Sequence, residues 1–556
     1  MTTSLVARIE AATARPTGVT FLGGPERERV LWSELHDDAR AVAAALQARG
    51  VGEGSRVGLL GETSRPLLTA LEATWLAGAA AIVLPLPTRL ASPEQCRVQT
   101  RERLALADVV LTVADTELQP IAGGGPGDAP VVELATLWAE AQRTGPSSYE
   151  RPADDPGATA VIQFTSGSTS DPKGVVIPHR CILDNLAAAA ERAPMDADDD
   201  VVVSWLPLYH DMGLVYNAIN AMVNGAEFAI APPTAFVSSP GRWMSWMSEL
   251  RGTWSVGPNF GIAVARRLLG RGGRLDLSRV RRLGSGSEPV DVTLMEAFAA
   301  EAAGSGFDPG ALYAGYGMAE ATVAISIPPM NSGFTVDVVD DDSLTRDRRA
   351  DPVAPDRPGA RRLARCGPPI RGMELRIVDP ETGAALGERG VGEIEVRGPS
   401  VVPGYFRNEQ ATRAALREDG WLRTGDQGYL AEGDVMICGR IKDMIVIGGR
   451  NVFPEDLERA VQAVPGVRPG NVIAFGVDAG RKGESVVVAA EIKVGTGDHR
   501  PDLIRAEIAR AVRSAAGLRL EDVVLLAPGS LPKTSSGKLQ RSACRARYRG
   551  DELERL

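Results

Sequence analysis

At roughly 150 residues per domain, a chain of 556 residues predicts several packed units rather than one core. Hydrophobic residues at 44%, charged residues at 24%, and 61 glycines with 38 prolines exclude collagen, coiled coil and a disordered chain. The formal net charge of −10 is dispersed along the chain and provides no basic footprint for nucleic acid or an anionic membrane.

The opening MTTSLVARIE places Arg8 and Glu10 where a secretory leader needs an apolar run, so a cytoplasmic location is expected. Short apolar runs at residues 57–60, 109–113, 160–164 and 201–205 read as strands, and helix-period stretches at 66–78 and 181–190 lie between them. This alternation predicts an α/β fold of parallel-sheet βα subdomains. The charge-free stretch 73–88 contains Pro85 and Pro87 and is too short for a membrane span, so no membrane insertion is expected. Residues 337–362 are crowded with Asp, Arg and Pro and read as a solvated surface insertion. Two alternating runs around a glycine-rich turn at 376–396 predict a hairpin in a small β subdomain. After Gly439 a small α+β unit is expected, with helices over 455–464 and 503–516 and strands over 472–475 and 486–492.

Cys96, Cys181, Cys366, Cys438 and Cys544 stand far apart without a CxxC pair, which argues for inert buried thiols over a zinc or disulfide framework. With only His36, His179, His210 and His499 and no HExxH, any metal should be a hard cation on oxygen ligands. The arginines Arg266, Arg267, Arg271, Arg274, Arg279, Arg281 and Arg282 could meet an acidic carrier protein or a CoA phosphate; the plainer expectation is a solvated helical face.

The stretch IQFTSGSTSDPKGV, residues 162–175, runs from an apolar strand into glycines, hydroxyls and a lysine. Backbone and hydroxyl donors of Thr165, Ser166, Gly167, Ser168 and Thr169, with the charge of Lys173, suit phosphate oxygens. Pro172 before Lys173 rules out a Walker loop. A polar surface turn is the alternative for this loop taken alone. It is followed by SWLPLYHDMG at 204–213, GSEP at 286–289, YGMAEAT at 316–322, RTGD at 423–426, GRIKD at 439–443 and PKTSSGK at 532–538.

In order and spacing, these motifs resemble the adenylate-forming superfamily of acyl-CoA synthetases, peptide-synthetase adenylation domains and luciferases, across residues 20–541. WLPLYHDMG, YGMAEAT and the polar insertion before Arg365 are most similar to the fatty-acyl-AMP ligase branch, which passes acyl groups to carrier proteins. The resemblance implies a large N-terminal domain (1–439) of parallel-sheet βα subdomains plus a small β subdomain, a hinge (440–443) and a mobile small α+β C-terminal domain (444–556). It implies ATP- and Mg²⁺-dependent activation of a hydrophobic carboxylic acid as an acyl-adenylate. Transfer to a phosphopantetheine thiol, of CoA or an acyl carrier protein, would follow, in lipid or natural-product biosynthesis. A homologue performing one half-reaction, or a non-catalytic nucleotide-binding module, is the alternative. Ser170 stands where many members carry glycine, which would stiffen the phosphate loop.

By the same resemblance, Lys538 bridges the substrate carboxylate and α-phosphate, and Glu320 with Thr169 holds Mg²⁺. Gly286, Ser287, Glu288, Pro289, Tyr316, Gly317 and Met318 enclose the adenine, Asp426 binds the ribose, and Arg440 lies near the ribose and α-phosphate. Lys442 is the hinge, and Gly448 and Gly449 line the thiol tunnel. Trp205, Tyr209, His210, Met212, Tyr216 and Phe260 are candidates for an apolar acyl pocket, with His210 also near the carboxylate. Without the resemblance, Lys538 is an exposed lysine, Glu320 a helix-start glutamate, Asp426 a turn residue, Arg440 a surface arginine and Tyr316 core. The sequence carries no signal of oligomeric state.

Overall fold

A computed structural model of the protein describes residues 3–24, 26–87, 93–123, 125, 127–164, 172–269, 274–447, 450–478, 484–493, 500–533 and 538–556. Among them, one six-stranded sheet runs in the order Val131–Glu133, Leu111–Ala114, Arg56–Leu60, Ala80–Val83, Thr159–Phe164, Gly174–Pro178. Its pairs are parallel except the last. Val57, Leu59 and Leu60 are all buried, as expected of a strand covered on both faces. The helix Arg65–Leu76 that follows is started by Ser64, whose hydroxyl accepts the Leu67 N–H at 3.4 Å, and by a proline in its first turn.

A seven-stranded sheet has the order Leu312–Ala314, Arg282–Ser285, Trp254–Gly257, Val201–Ser204, Glu227–Ile230, Gly18–Phe21, Glu28–Leu31, again parallel up to its final pair. A five-stranded antiparallel sheet follows, in the order Ala385–Leu386, Glu374–Val378, Gly392–Arg397, Leu422–Ala431, Asp434–Arg440. The expected hairpin is therefore real. From Ile445 onward a three-stranded sheet of Val467–Asp478, Glu484–Ile492 and Leu520–Leu526 carries the helices Pro454–Gln462, Pro501–Ala516 and Arg541–Arg549. This unit buries its own apolar clusters. Leu520–Leu526 and the arginine-rich Arg541–Arg549 have no clear signature in the sequence, because charged residues interrupt both. No helix of the described residues is long and apolar enough to cross a membrane.

Residues 337–362 depart from expectation. They are a solvated loop only in part: Val336–Asp340 and Ala360–Ala364 pair as antiparallel strands, and residues 354–359 between them are exposed. Three of their apolar side chains, Val339, Leu344 and Ala350, are buried in a cluster with Tyr429, Met436 and Phe453. Part of the dense charge is buried and paired. Asp337, only 5% exposed, accepts from Arg365 at 3.1 Å, Arg389 at 3.0 Å and the Tyr429 hydroxyl at 2.8 Å. Removing one partner of a buried ion pair leaves the other charges uncompensated. Asp337→Ala should therefore destabilise the protein by about 3–5 kcal/mol, measured by denaturant unfolding; a loss below about 1 kcal/mol would mark the network as solvent-screened.

The arginine group is also corrected. It is not one helical face: the helix Asn259–Leu268 carries only Arg266 and Arg267, Arg279 and Arg281 pair with Asp199 and Asp200, and Arg282 is buried on a strand. Arg271 lies outside the described residues. All five cysteines are buried. Burial pushes the Cys181 thiol up to about 11 and those of Cys366, Cys438 and Cys544 to about 12, so these four stay protonated at neutral pH.

Candidate active site

Adjacent parallel strands of the seven-stranded sheet release their loops on one side, at the carboxyl ends where open α/β sheets bind ligands. Val201–Ser204 leads to Trp205, Tyr209 and His210; Trp254–Gly257 to Asn259 and Phe260; Arg282–Ser285 to Gly286, Ser287, Glu288 and Pro289; Leu312–Ala314 to Tyr316, Gly317 and Met318. At Gly317 any Cβ would collide with the Val323 carbonyl, so the loop closes this tightly only on glycine.

Asp426 and Arg440 come from the five-stranded sheet, where their strands pair in a register that sets the two residues opposite each other. Arg440 Nε stands 3.2 Å from Asp426 Oδ1, and the Tyr316 hydroxyl donates to Asp426 Oδ2 at 2.8 Å. Asp426 raises the Arg440 pKa and keeps the guanidinium charged. Glu320 lies on the short 3₁₀ turn Ala319–Ala321, and Tyr405 donates to its Oε1 at 2.8 Å. Burial pushes the Glu320 carboxyl above the usual range. Lys173 sits 5.2 Å from the centre of the Tyr405 ring, which connects the lysine to the same corner.

Lys538 arrives from the C-terminal unit, with Nζ 3.1 Å from His210 Nε2. Asp211 Oδ1 lies 2.6 Å from His210 Nδ1 and also accepts the Met212 N–H at 2.7 Å, capping a π-type helix, Met212–Ile219. Burial pushes the Lys538 amine below its ordinary range, against the fields of Asp211 and Glu288. Burial would raise Asp211, but His210 and Lys538 outweigh it and hold the carboxyl low. Glu288 moves the other way: burial raises it despite Lys538. Its Oε1 accepts the Asn259 N–H at 2.7 Å.

Next to this cluster a cavity of about 50 Å³ is walled by Met212, Tyr216, Val256, Tyr313, Tyr316 and Ile327 among others. Met212 and Tyr216 thus reach it, whereas Trp205 does not line it. Trp205 stacks on Phe236 at 3.7 Å and meets Trp243 and Phe260 edge-on in a separate aromatic cluster. Tyr209 is half-buried beside His210 and is also absent from the lining. Lys442 occupies the short turn Ile441–Asp443 between the two units, its pKa lowered by burial. Thr165, Ser166, Gly167, Ser168, Thr169, Gly448 and Gly449 lie outside the described residues.

Asp211, Tyr313 and Tyr405 escaped the sequence reading. Asp211 sits inside the quoted HDMG motif and its neighbour His210 was the available signal. Tyr405 lies 85 residues from Glu320, and nothing local marks it.

A crevice at the ends of parallel strands, closed by a lysine from a second unit, defines an α/β ligand-binding enzyme. The chain belongs to the AMP-binding enzyme family, which matches residues 9–406. A Mycobacterium tuberculosis protein named as a ligase is 38% identical, over 92% of this chain and 94% of its own. The 4-hydroxyphenylalkanoate adenylyltransferase of Mycobacterium marinum is 35% identical, over 95% and 87%. A structure solved in work on fatty acyl-adenylate ligases from E. coli and L. pneumophila superposes with a TM-score of 0.90 at 30% identity, covering 99% of this chain and 98% of that one. The protein is an ATP-dependent, adenylate-forming ligase acting on a carboxylic acid.

Proposed function

We propose that the protein converts an apolar carboxylic acid into its acyl-adenylate and passes the acyl group to a phosphopantetheine thiol, of CoA or an acyl carrier protein. The observation that carries this is the entry of Lys538 into the crevice beside His210, Asp211 and Glu288, across from the Asp426–Arg440–Tyr316 group. Attack of a carboxylate on the α-phosphate brings two anions together, and a preorganised cation in a water-poor site lowers the cost of that approach. Lys538 is the bridging cation in this reading and His210 shapes the carboxylate end. Asp426 takes the ribose hydroxyls, Arg440 the α-phosphate side, and Tyr316 with Gly286, Ser287, Glu288, Pro289, Gly317 and Met318 the base. Thr165, Ser166, Gly167, Ser168, Thr169 and Lys173 hold the phosphates.

Glu320 fits a magnesium role with Thr169. It offers one half-buried carboxylate, and the described residues contain no group of three or more His, Cys, Asp or Glu that could cage a metal by themselves. A cation that takes one or two carboxylates and completes its shell with phosphate oxygens suits such a site. When bound it neutralises phosphate charge.

Thiol transfer requires the unit beyond the 440–443 hinge to turn about Lys442, withdrawing Lys538 and bringing Gly448 and Gly449 to the thiol path. The contacts resisting that turn are visible. Arg361 lies 2.8 Å from Asp456 and 3.3 Å from Asp341 with its guanidinium over Phe453, and Arg450 reaches Asp341 at 3.1 Å. The relatives' names cover a hydroxyaryl alkanoate and fatty acyl groups, whose shared chemistry is an apolar body on a carboxylate.

The test is acid-dependent pyrophosphate exchange over a panel of carboxylic acids, followed by mass spectrometry with CoA or a holo carrier protein added. Exchange plus an acyl thioester on one acceptor is the expected result. Thioester formed only from a preformed acyl-adenylate would reduce the protein to the second half-reaction, and no product from either route would leave a binding module.

A further inference from the structure

The end of the cavity is not apolar. Tyr216 and Tyr313, 6% and 4% exposed, both line it, and their hydroxyl oxygens lie 2.8 Å apart. Arg282, 2% exposed, stacks on Tyr313 with its guanidinium carbon 3.8 Å from the ring centre. Arg282 also bonds the carbonyls of Pro328 at 3.0 Å and Pro329 at 3.4 Å, and it has no carboxylate partner among the described residues. Its cation therefore stays behind the phenol pair, over the face of the Tyr313 ring. The flat approach depends on Gly284, where a Cβ would collide with the Tyr313 ring.

Two phenols carry two protons, and their mutual bond uses one. The second phenolic proton has no acceptor among the described residues. An unmade buried donor costs about 1–3 kcal/mol. A ligand oxygen at that point would recover it, and the walls at Met212, Val256, Ala324 and Ile327 suit an apolar ligand body, with Asp211, Ser285 and Ser287 also lining the cavity.

We propose that Tyr216 and Tyr313 are specificity-determining residues that select an aryl acid bearing a distal phenolic hydroxyl over the same acid without it. The inference rests on the acid-activating function proposed above and on this cavity as the acid's site. The substrate hydroxyl accepts the spare tyrosine proton and donates its own to a tyrosine lone pair. A saturated chain leaves the pair unmatched, the situation in which sites built for a hydroxyl discriminate against analogues lacking it.

The experiment compares para-hydroxyphenylpropanoate, phenylpropanoate and decanoate with the full chain and with Tyr216→Phe and Tyr313→Phe. Pyrophosphate exchange gives kcat/KM, and binding of the three corresponding acyl-sulfamoyl adenosines gives Kd without turnover. The wild-type protein should favour the hydroxylated acid over phenylpropanoate by at least about 10-fold in both, and either variant should bring the ratio toward one. A wild-type binding ratio near one, a ratio kept by both variants, or tighter binding of the decanoyl analogue overturns the inference. Exchange with decanoate alone sinks it while leaving the acid-activating function intact. Absence of exchange with every acid, beside a persistent binding ratio that both variants lose, does the reverse.

Discussion

Lys538→Ala should lower acid-dependent pyrophosphate exchange by at least about 100-fold, the range seen when one preorganised donor to a developing charge is removed. The side chain stands 3.1 Å from His210 and lies half-buried in the fields of Asp211 and Glu288, so a truncated residue 538 leaves no lysine cation there to bridge two anions. Folding should survive, because burial already disfavours the charged amine; the apparent Tm should stay within about 4 °C. Exchange that persists in Lys538→Ala would remove the lysine from adenylation.

The same residue sets a pH limb. Burial lowers the Lys538 pKa below its ordinary value of 10.5, with Asp211 and Glu288 opposing. The amine therefore loses its charge at a lower pH than a solvated lysine does. Exchange should decline on the alkaline side before pH 10.5, and Lys538→Arg, which holds its charge throughout, should abolish that limb in whatever activity it retains. An unchanged limb in Lys538→Arg would assign the titration elsewhere.

The second large effect is expected at Asp426. Its two oxygens already take Arg440 and Tyr316, which fixes the carboxylate and leaves lone pairs for vicinal hydroxyls. Hydrogen bonds to a charged group contribute about 1.5–3 kcal/mol, so Asp426→Ala should raise the KM for ATP by about 10- to 100-fold. Wild-type protein should discriminate against 2′-deoxy-ATP, and the variant should lose that discrimination. A KM increase shared equally by ATP and 2′-deoxy-ATP, with discrimination intact, would show that Asp426 merely holds Arg440 and Tyr316. Asp426→Asn separates the cases, since it keeps the shape and removes the charge that pairs Arg440.

Several of these residues were legible before any fold was known. Lys538, Glu320 and Asp426 each stand in a short motif, and the order of the motifs carries the family. The structure then brings Lys538 to His210 across 328 residues of chain and pairs Asp426 with Arg440 by strand register. Trp205 and Phe260, chosen for their aromatic neighbourhood, pack on each other instead of lining the cavity. Residue type records hydrophobicity but not the direction of a side chain leaving a loop.

What the sequence determined by itself is local: apolar runs that make buried parallel strands, the hairpin at 376–396, the small C-terminal unit, and loops with the donors and charges for a nucleotide. Each follows from periodicity and residue chemistry within a few turns of chain. Tertiary structure alone decided that the two ends of residues 337–362 pair as strands, because Asp337 finds partners such as Arg389 and Tyr429 far along the chain. It also decided the depressed pKa of Lys538 and the pairing of Tyr216 with Tyr313, since burial and hydrogen-bond geometry depend on which distant surfaces meet.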